Sequence, residues 1–134
     1  MRTVNAAAIT EMVERLCMEA NYYLNDDIEK ALRKAAETEE SETGRSVLNS
    51  LLRNAEIARK EKMAICQDTG IAVVFVEIGQ EVLIEGGDIG EAINEGVRRG
   101  YKKGYLRSSV VGDPLRRTNT GDNTPAVIHY DIVQ

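Results

Sequence analysis

Tryptophan is absent from this chain, and a single phenylalanine, a single histidine, two prolines and two cysteines are spread over its 134 residues. Each shortage excludes something. With five tyrosines as the main aromatics and a net charge of −5, the chain lacks both the stacking platforms and the cationic field of a nucleic-acid surface. Arg98, Arg99, Lys102, Lys103 and Arg107 do gather, but acidic residues upstream outweigh them. Cys17 and Cys66 are too few for a disulfide framework, so a reducing, cytoplasmic setting is expected. No apolar run approaches the roughly 20 residues of a bilayer-spanning helix. No basic segment followed by an apolar one opens the sequence as a secretory signal would.

What is present suits a folded domain. A hydrophobic fraction of 43% and a charged fraction of 29% are ordinary for a globular chain of one domain's length. Three amphipathic helices are expected in the first half. Ile9, Met12, Val13, Leu16, Cys17 and Ala20 make one apolar stripe at helical spacing. Ile28, Ala31, Leu32 and Ala35 repeat it, with Asn25 or Asp26 as N-cap. After a polar stretch from Glu37 to Thr43, a third helix runs from about Ser41 to about Glu61, its apolar face formed by Val47, Leu48, Leu51, Leu52, Ala55 and Ala58.

Beyond Gly70 the period changes. Ile71 to Ile78 is almost continuously apolar, which predicts a strand buried on both faces. A turn at Gly79-Gln80-Glu81 and a short partner strand at Val82 to Ile84 follow. Asp88 and Glu91 have capping-box spacing ahead of a helix carrying Ile89, Ala92, Ile93 and Val97. Gly96, Gly100 and Gly104 recur along it, each costing roughly 1 kcal/mol of helix stability relative to Ala. Their alignment predicts that the backbone approaches another element closely; a frayed helix is the plainer alternative. Ala126 to Val133 is the last expected strand. The ending at Gln134, straight after an apolar segment, leads us to expect a longer protein.

Polarity concentrates at Ile65-Cys66-Gln67-Asp68-Thr69-Gly70, where a thiol, an amide, a carboxylate and a hydroxyl follow one another before a tight-turn glycine. Cys17, on an apolar stripe, reads as a small packing group. Cys66 has three readings: a structural thiol, a thiolate activated by a base, or a metal ligand. The second would need His129, which in an apolar strand reads instead as a hydrogen-bonded core residue. The third would need further ligands, because one cysteine cannot hold a metal or cluster. The segment from Gly112 to Pro125 lacks the ending of a phosphate loop and reads as a turn held by Asp, Asn and Thr side chains. Arg107, Arg116 and Arg117 could bind carboxylates, although a solvated position is the ordinary state of each.

Together these segments resemble a known family. Asn54-Ala55-Glu56-Ile57-Ala58 with Ile65-Cys66-Gln67-Asp68-Thr69-Gly70 is similar to the class I (iron–sulfur) fumarate hydratases and to the alpha subunits of L(+)-tartrate dehydratase. Leu106-Arg107-Ser108-Ser109-Val110-Val111, Asp113-Pro114-Leu115 and the stretch from Asn119 to Val127 fit the same pattern, in the same order. The likeness is strong from about Asn54 and weak before it. It implies a hydro-lyase that uses a four-iron, four-sulfur cluster held by three cysteines, and a small dicarboxylate substrate such as fumarate or malate. On this sequence Cys66 matches the first cluster ligand. Gln67 and Asp68 match positions facing the dicarboxylate, with Asp68 also orienting the base or the hydroxyl. Arg107 matches a carboxylate-binding arginine, Arg117 a loop-bracing position, and His129 a recurrent histidine without an assigned task.

The departures are as informative. The other two cluster cysteines have no counterpart here, and further substrate-binding residues of the family lie in a beta subunit or C-terminal domain. The expectation is therefore an α+β fold, a helical half with a small mixed sheet. It would be the N-terminal portion, residues 1–134, of an alpha-subunit catalytic domain that is inactive alone and belongs to an oligomer. A non-catalytic assembly or binding module is the rival from another class.

Overall fold

A computed structural model describes all residues from Met1 to Gln134. Its elements run β1 (Arg2–Asn5), α1 (Ala6–Tyr22), α2 (Asp26–Thr38), α3 (Glu42–Glu61), β2 (Val73–Gly79), β3 (Val82–Glu85), α4 (Ile89–Lys103) and β4 (Val127–Val133). The fold is mixed α+β, as expected. The chain divides into two compact units, one formed by Met1–Met18 with Gln67–Gln134 and the other by Glu19–Cys66.

In the first unit α4 lies on α1. The Asp88 carboxylate accepts from Glu91 N at 2.9 Å and so fixes the helix start, as the capping-box spacing predicts. Ile93 and Val97 are fully buried, each contributing roughly 1.5–3 kcal/mol by leaving water. The glycines explain how they get so deep. A Cβ at Gly96 would lie 2.6 Å from the Val13 Cβ and 2.7 Å from the Thr10 carbonyl oxygen. At Gly100 it would lie 2.8 Å from both the Cys17 Cβ and the Glu14 carbonyl oxygen. Thr10 Oγ1 donates to the Ala92 carbonyl at 2.9 Å across the same seam. Close approach is thus the correct account of Gly96 and Gly100, while Gly104 is the C-cap of α4.

The strands depart from expectation. They form two separate parallel pairs, β1 with β3 and β2 with β4, and not one mixed sheet. After the turn β3 does not fold back on β2. Arg2 to Asn5, a stretch too short to show a period, claims it instead. Nor is β2 buried on both faces: Val74, Val76 and Ile78 are half-buried, whereas Val73, Phe75 and Glu77 are exposed, Phe75 by 78%. A run of apolar letters hides which side is covered, because only tertiary neighbours decide that.

The second unit is built on α2 and α3. Ser41 Oγ accepts from Gly44 N at 3.2 Å to cap α3, and Lys62 ends it in the left-handed conformation with φ of 51°. Ala55 and Ala58 are its buried residues, and α2 has none. In the first helix, likewise, Met12 and Leu16 are about half exposed, so the expected stripe is only partly covered. No helix is long and apolar enough to cross a membrane.

Candidate active site

Cys66, Gln67 and Asp68 are all exposed, on a stretch without regular structure whose two ends are each fastened within their own unit. In the second unit, Ile65 N donates to the Asn21 carbonyl at 2.9 Å, and Asn54 Nδ2 donates to the Ile65 carbonyl at 2.7 Å. Both backbone groups of the residue before Cys66 are therefore held, one of them by the α3 side chain that opens the first motif.

In the first unit the anchoring is denser. Tyr101 Oη, on α4, donates to the Thr69 carbonyl at 3.1 Å. Gly70 has φ of 64°, the left-handed turn expected of it. Asn123 is the centre of this network. Completely buried, its Nδ2 donates to the Gly70 carbonyl at 3.2 Å, and its Oδ1 accepts from Ser109 N at 2.7 Å and Val110 N at 3.1 Å. One amide thus binds the turn after Asp68 to the segment that follows Arg107. Thr69 Oγ1 makes a second tie, donating to the Arg107 carbonyl at 2.9 Å. The side chain of Arg107 is exposed, with its backbone fixed by that bond.

The segment from Gly112 to Pro125 is the side-chain-stapled turn that its composition predicts. Asp113 Oδ1 accepts from Leu115 N at 2.9 Å and Arg116 N at 2.7 Å. Asn119 Nδ2 donates to the Ser108 carbonyl at 2.9 Å. Asp122 Oδ1 accepts from Thr124 N and Oγ1, and its Oδ2 accepts from Arg98 Nε at 3.1 Å. The Thr124 bonds, helped by Arg98, hold the Asp122 carboxyl down at about 2. Arg117 sits at φ of 54° and its N–H donates to the Asp113 carbonyl at 2.8 Å, so its part in the brace is a backbone one.

Two sequence expectations need restating. His129 is not a core residue: it is exposed and stacks on Phe75, its partner in the β2–β4 register, with ring centroids 4.9 Å apart. Cys17 is half-buried against α4, and burial pushes its thiol up to about 11, which suits the packing role that its apolar stripe predicts. Asn54 and Asn123 stand inside the recognisable motifs, yet spacing alone does not announce their partners. Tyr101 offered a fainter signal: it falls one turn after Val97 on the buried stripe, where a phenol needs an acceptor.

The donor set decides what this chain can hold. Nowhere do three or more His, Cys, Asp or Glu side chains converge as a metal site would require. Cys66 is the one exposed thiol. That suits one ligand of a centre shared with other polypeptide, and not a metal site confined to these residues.

Comparison with known proteins follows the same lines. A candidate L(+)-tartrate dehydratase subunit alpha from Methanocaldococcus jannaschii is 37% identical over 129 residues, covering 92% of this chain and 45% of its own length. Fumarate hydratase 2 of Leishmania major is 34% identical over 126 residues, covering 92% of this chain and 22% of its own. The anaerobic class I fumarate hydratase of Escherichia coli K12 is 34% identical over 128 residues, covering 93% and 23%. The chain thus spans less than half the length of these relatives. With the family described as Fumarate hydratase (Fumerase) matching residues 10–134, the chain belongs to the fumarate hydratase family.

Proposed function

We propose that this chain is the N-terminal portion of the catalytic domain of an iron–sulfur hydro-lyase. Joined to the polypeptide that carries the remaining ligands, it would take part in the reversible hydration of fumarate to L-malate. The observation that carries the reading is the exposed Cys66-Gln67-Asp68 stretch, anchored at both ends, in a chain of this family. Cys66 would give one thiolate to a four-iron, four-sulfur cluster, the other cysteines coming from a beta subunit or C-terminal domain. When bound, such a cluster supplies an open-site iron that acts as a Lewis acid toward the departing hydroxyl.

This chain's own residues bind and orient. The Arg107 guanidinium holds one substrate carboxylate through paired N–H groups, a geometry that lysine cannot supply. Gln67 donates from its amide to the dicarboxylate. The Asp68 carboxylate accepts from the substrate hydroxyl and keeps it aligned while a base elsewhere takes the C–H proton. The Thr69–Arg107 bond and the Asn123 clamp keep these substrate-facing stretches in fixed register.

Anaerobic iron and sulfide reconstitution of the assembled protein, wild type against Cys66→Ser, tests the ligand. The variant should lose the cluster's visible absorbance and its fumarate hydration; retention of both would remove Cys66 from the centre. Arg107→Lys should raise the KM for fumarate by about tenfold or more while the absorbance stays intact. A tartrate dehydratase reading is favoured by the M. jannaschii relative, of whose length the chain covers the larger share. Assaying the assembled protein with L-malate and L(+)-tartrate separates the two.

A further inference from the structure

Two strands in the first unit, each with one edge unpaired, border one apolar groove. Arg2 N donates to the Glu81 carbonyl, so the even-numbered residues of β1 address β3 and Thr3 turns its N–H and C=O to the opposite edge. In β2, the Ala72 carbonyl accepts from Val127 N, and Gln80 N donates to the Val133 carbonyl. The even-numbered residues therefore address β4, and Val73, Phe75 and Glu77 turn their backbone groups the other way. Each sheet stops at two strands, so neither of these edges carries a ladder.

The groove, about 360 Å³, touches β1 through Val4 and β2 through Val74 and Val76, and touches neither β3 nor β4. The two strands that border it are the ones whose other edge is unpaired. Ile9 and Met12 of α1 and Ile89 of α4 form its floor. An apolar floor beside strands with unpaired backbone donors and acceptors is what an extended peptide matches, main chain to the edges and alternate side chains to the floor. Parallel strands are also ordinarily embedded in larger covered sheets, which two isolated pairs are not.

We propose that one extended segment, apolar at alternate residues, docks between β1 and β2 and joins the two pairs into a continuous sheet ordered β3-β1-segment-β2-β4. Its source is the polypeptide that the relatives have outside the matched part, since 45%, 22% and 23% of their lengths are all that this chain covers. The proposal goes beyond the reaction assigned above and does not depend on it.

Hydrogen exchange tests it, comparing this chain alone with the native assembly purified from its host. The amides of Thr3, Val73, Phe75 and Glu77 should slow together in the assembly, by about 100-fold or more. Unchanged exchange at either edge would overturn the proposal. So would protection of the lone chain that grows with its concentration, which assigns the groove to a second copy. Ala8→Glu gives an independent arm. Ala8 lines the groove but is exposed, and a glutamate in the first turn of α1 suits the helix. The variant should melt like wild type as a lone chain yet assemble about tenfold or more weakly, because a carboxylate would be desolvated in the groove. Full-strength assembly would count against the docked strand. Neither readout uses turnover, so an inactive assembly with protected edges would overturn the hydratase reading and leave this one standing.

Discussion

The helix pair α1 and α4 and the helix pair α2 and α3 meet by different physics. In the first, Gly96 and Gly100 remove side chains altogether, and backbone from α1 occupies the space within 2.7–2.8 Å of where their Cβ atoms would stand. In the second, α2 buries no residue, and the Glu29 carboxylate, on α2, accepts from Arg33 at 2.6 Å and from Arg59 of α3 at 2.8 Å. A steric seam has one solution and tolerates nothing larger. An exposed ionic contact has many near-equivalent arrangements and loses little when one is removed. The seam also carries Tyr101, whose hydroxyl holds Thr69, so the packing that demands glycine is the packing that positions the candidate site.

The largest effect should come from Gly96→Val. The added methyls would meet Val13 and the Thr10 carbonyl, and the loss should reach about 3 kcal/mol or more in a denaturant titration. A value near zero would mean that α1 and α4 can slide apart, and the contrast between the seams would fail. Asn123→Gly should come next. Glycine keeps the left-handed backbone at φ of 60° but strands the Ser109 and Val110 N–H groups and leaves the Gly70 carbonyl only the longer Tyr101 Oη bond at 3.4 Å, costing about 2–3 kcal/mol. The same variant should raise KM in the assembled enzyme if Arg107 depends on the clamp.

Acid should loosen the Gly112–Pro125 segment before the seam. Asp122 has its pKa lowered from 3.8 to about 2, so its contribution is complete above the unfolded value and is lost as pH falls from about 4 to about 2. Amide exchange of Thr124 should rise through that window, and Asp122→Asn should abolish the dependence. The smallest effect belongs to Glu29→Gln. It removes the charge from an exposed pair, and the thermal midpoint should move less than for any of the other variants, with the difference shrinking further in high salt.

Much of this was legible in the residues. Asp88 announced a helix start by side-chain chemistry that acts within three residues, and its cap forms, whereas Asn25 stands at the N-cap of α2 without a side-chain bond. The Asn-, Asp- and Thr-rich stretch announced a turn that staples itself, for the same local reason. The motif around Cys66 was visible because polar groups crowd a junction where packing has no use for them. The clamp by Asn123 was not visible, since its partners lie 13, 14 and 53 residues away.

Sequence alone therefore determined the helices, the cap at Asp88, the turn chemistry, the need for close approach at Gly96 and Gly100, and the family. These depend on spacing and on interactions that span a few residues, which the order of the letters records directly. Tertiary structure decided that β3 joins β1, that β4 joins β2, that Phe75 and His129 stack in the open, and that β1 and β2 border one groove. Strand partners are chosen by whichever edges the folded helices bring near one another. A largely apolar seven-residue strand such as β2 carries the same letters whether one face is covered or both.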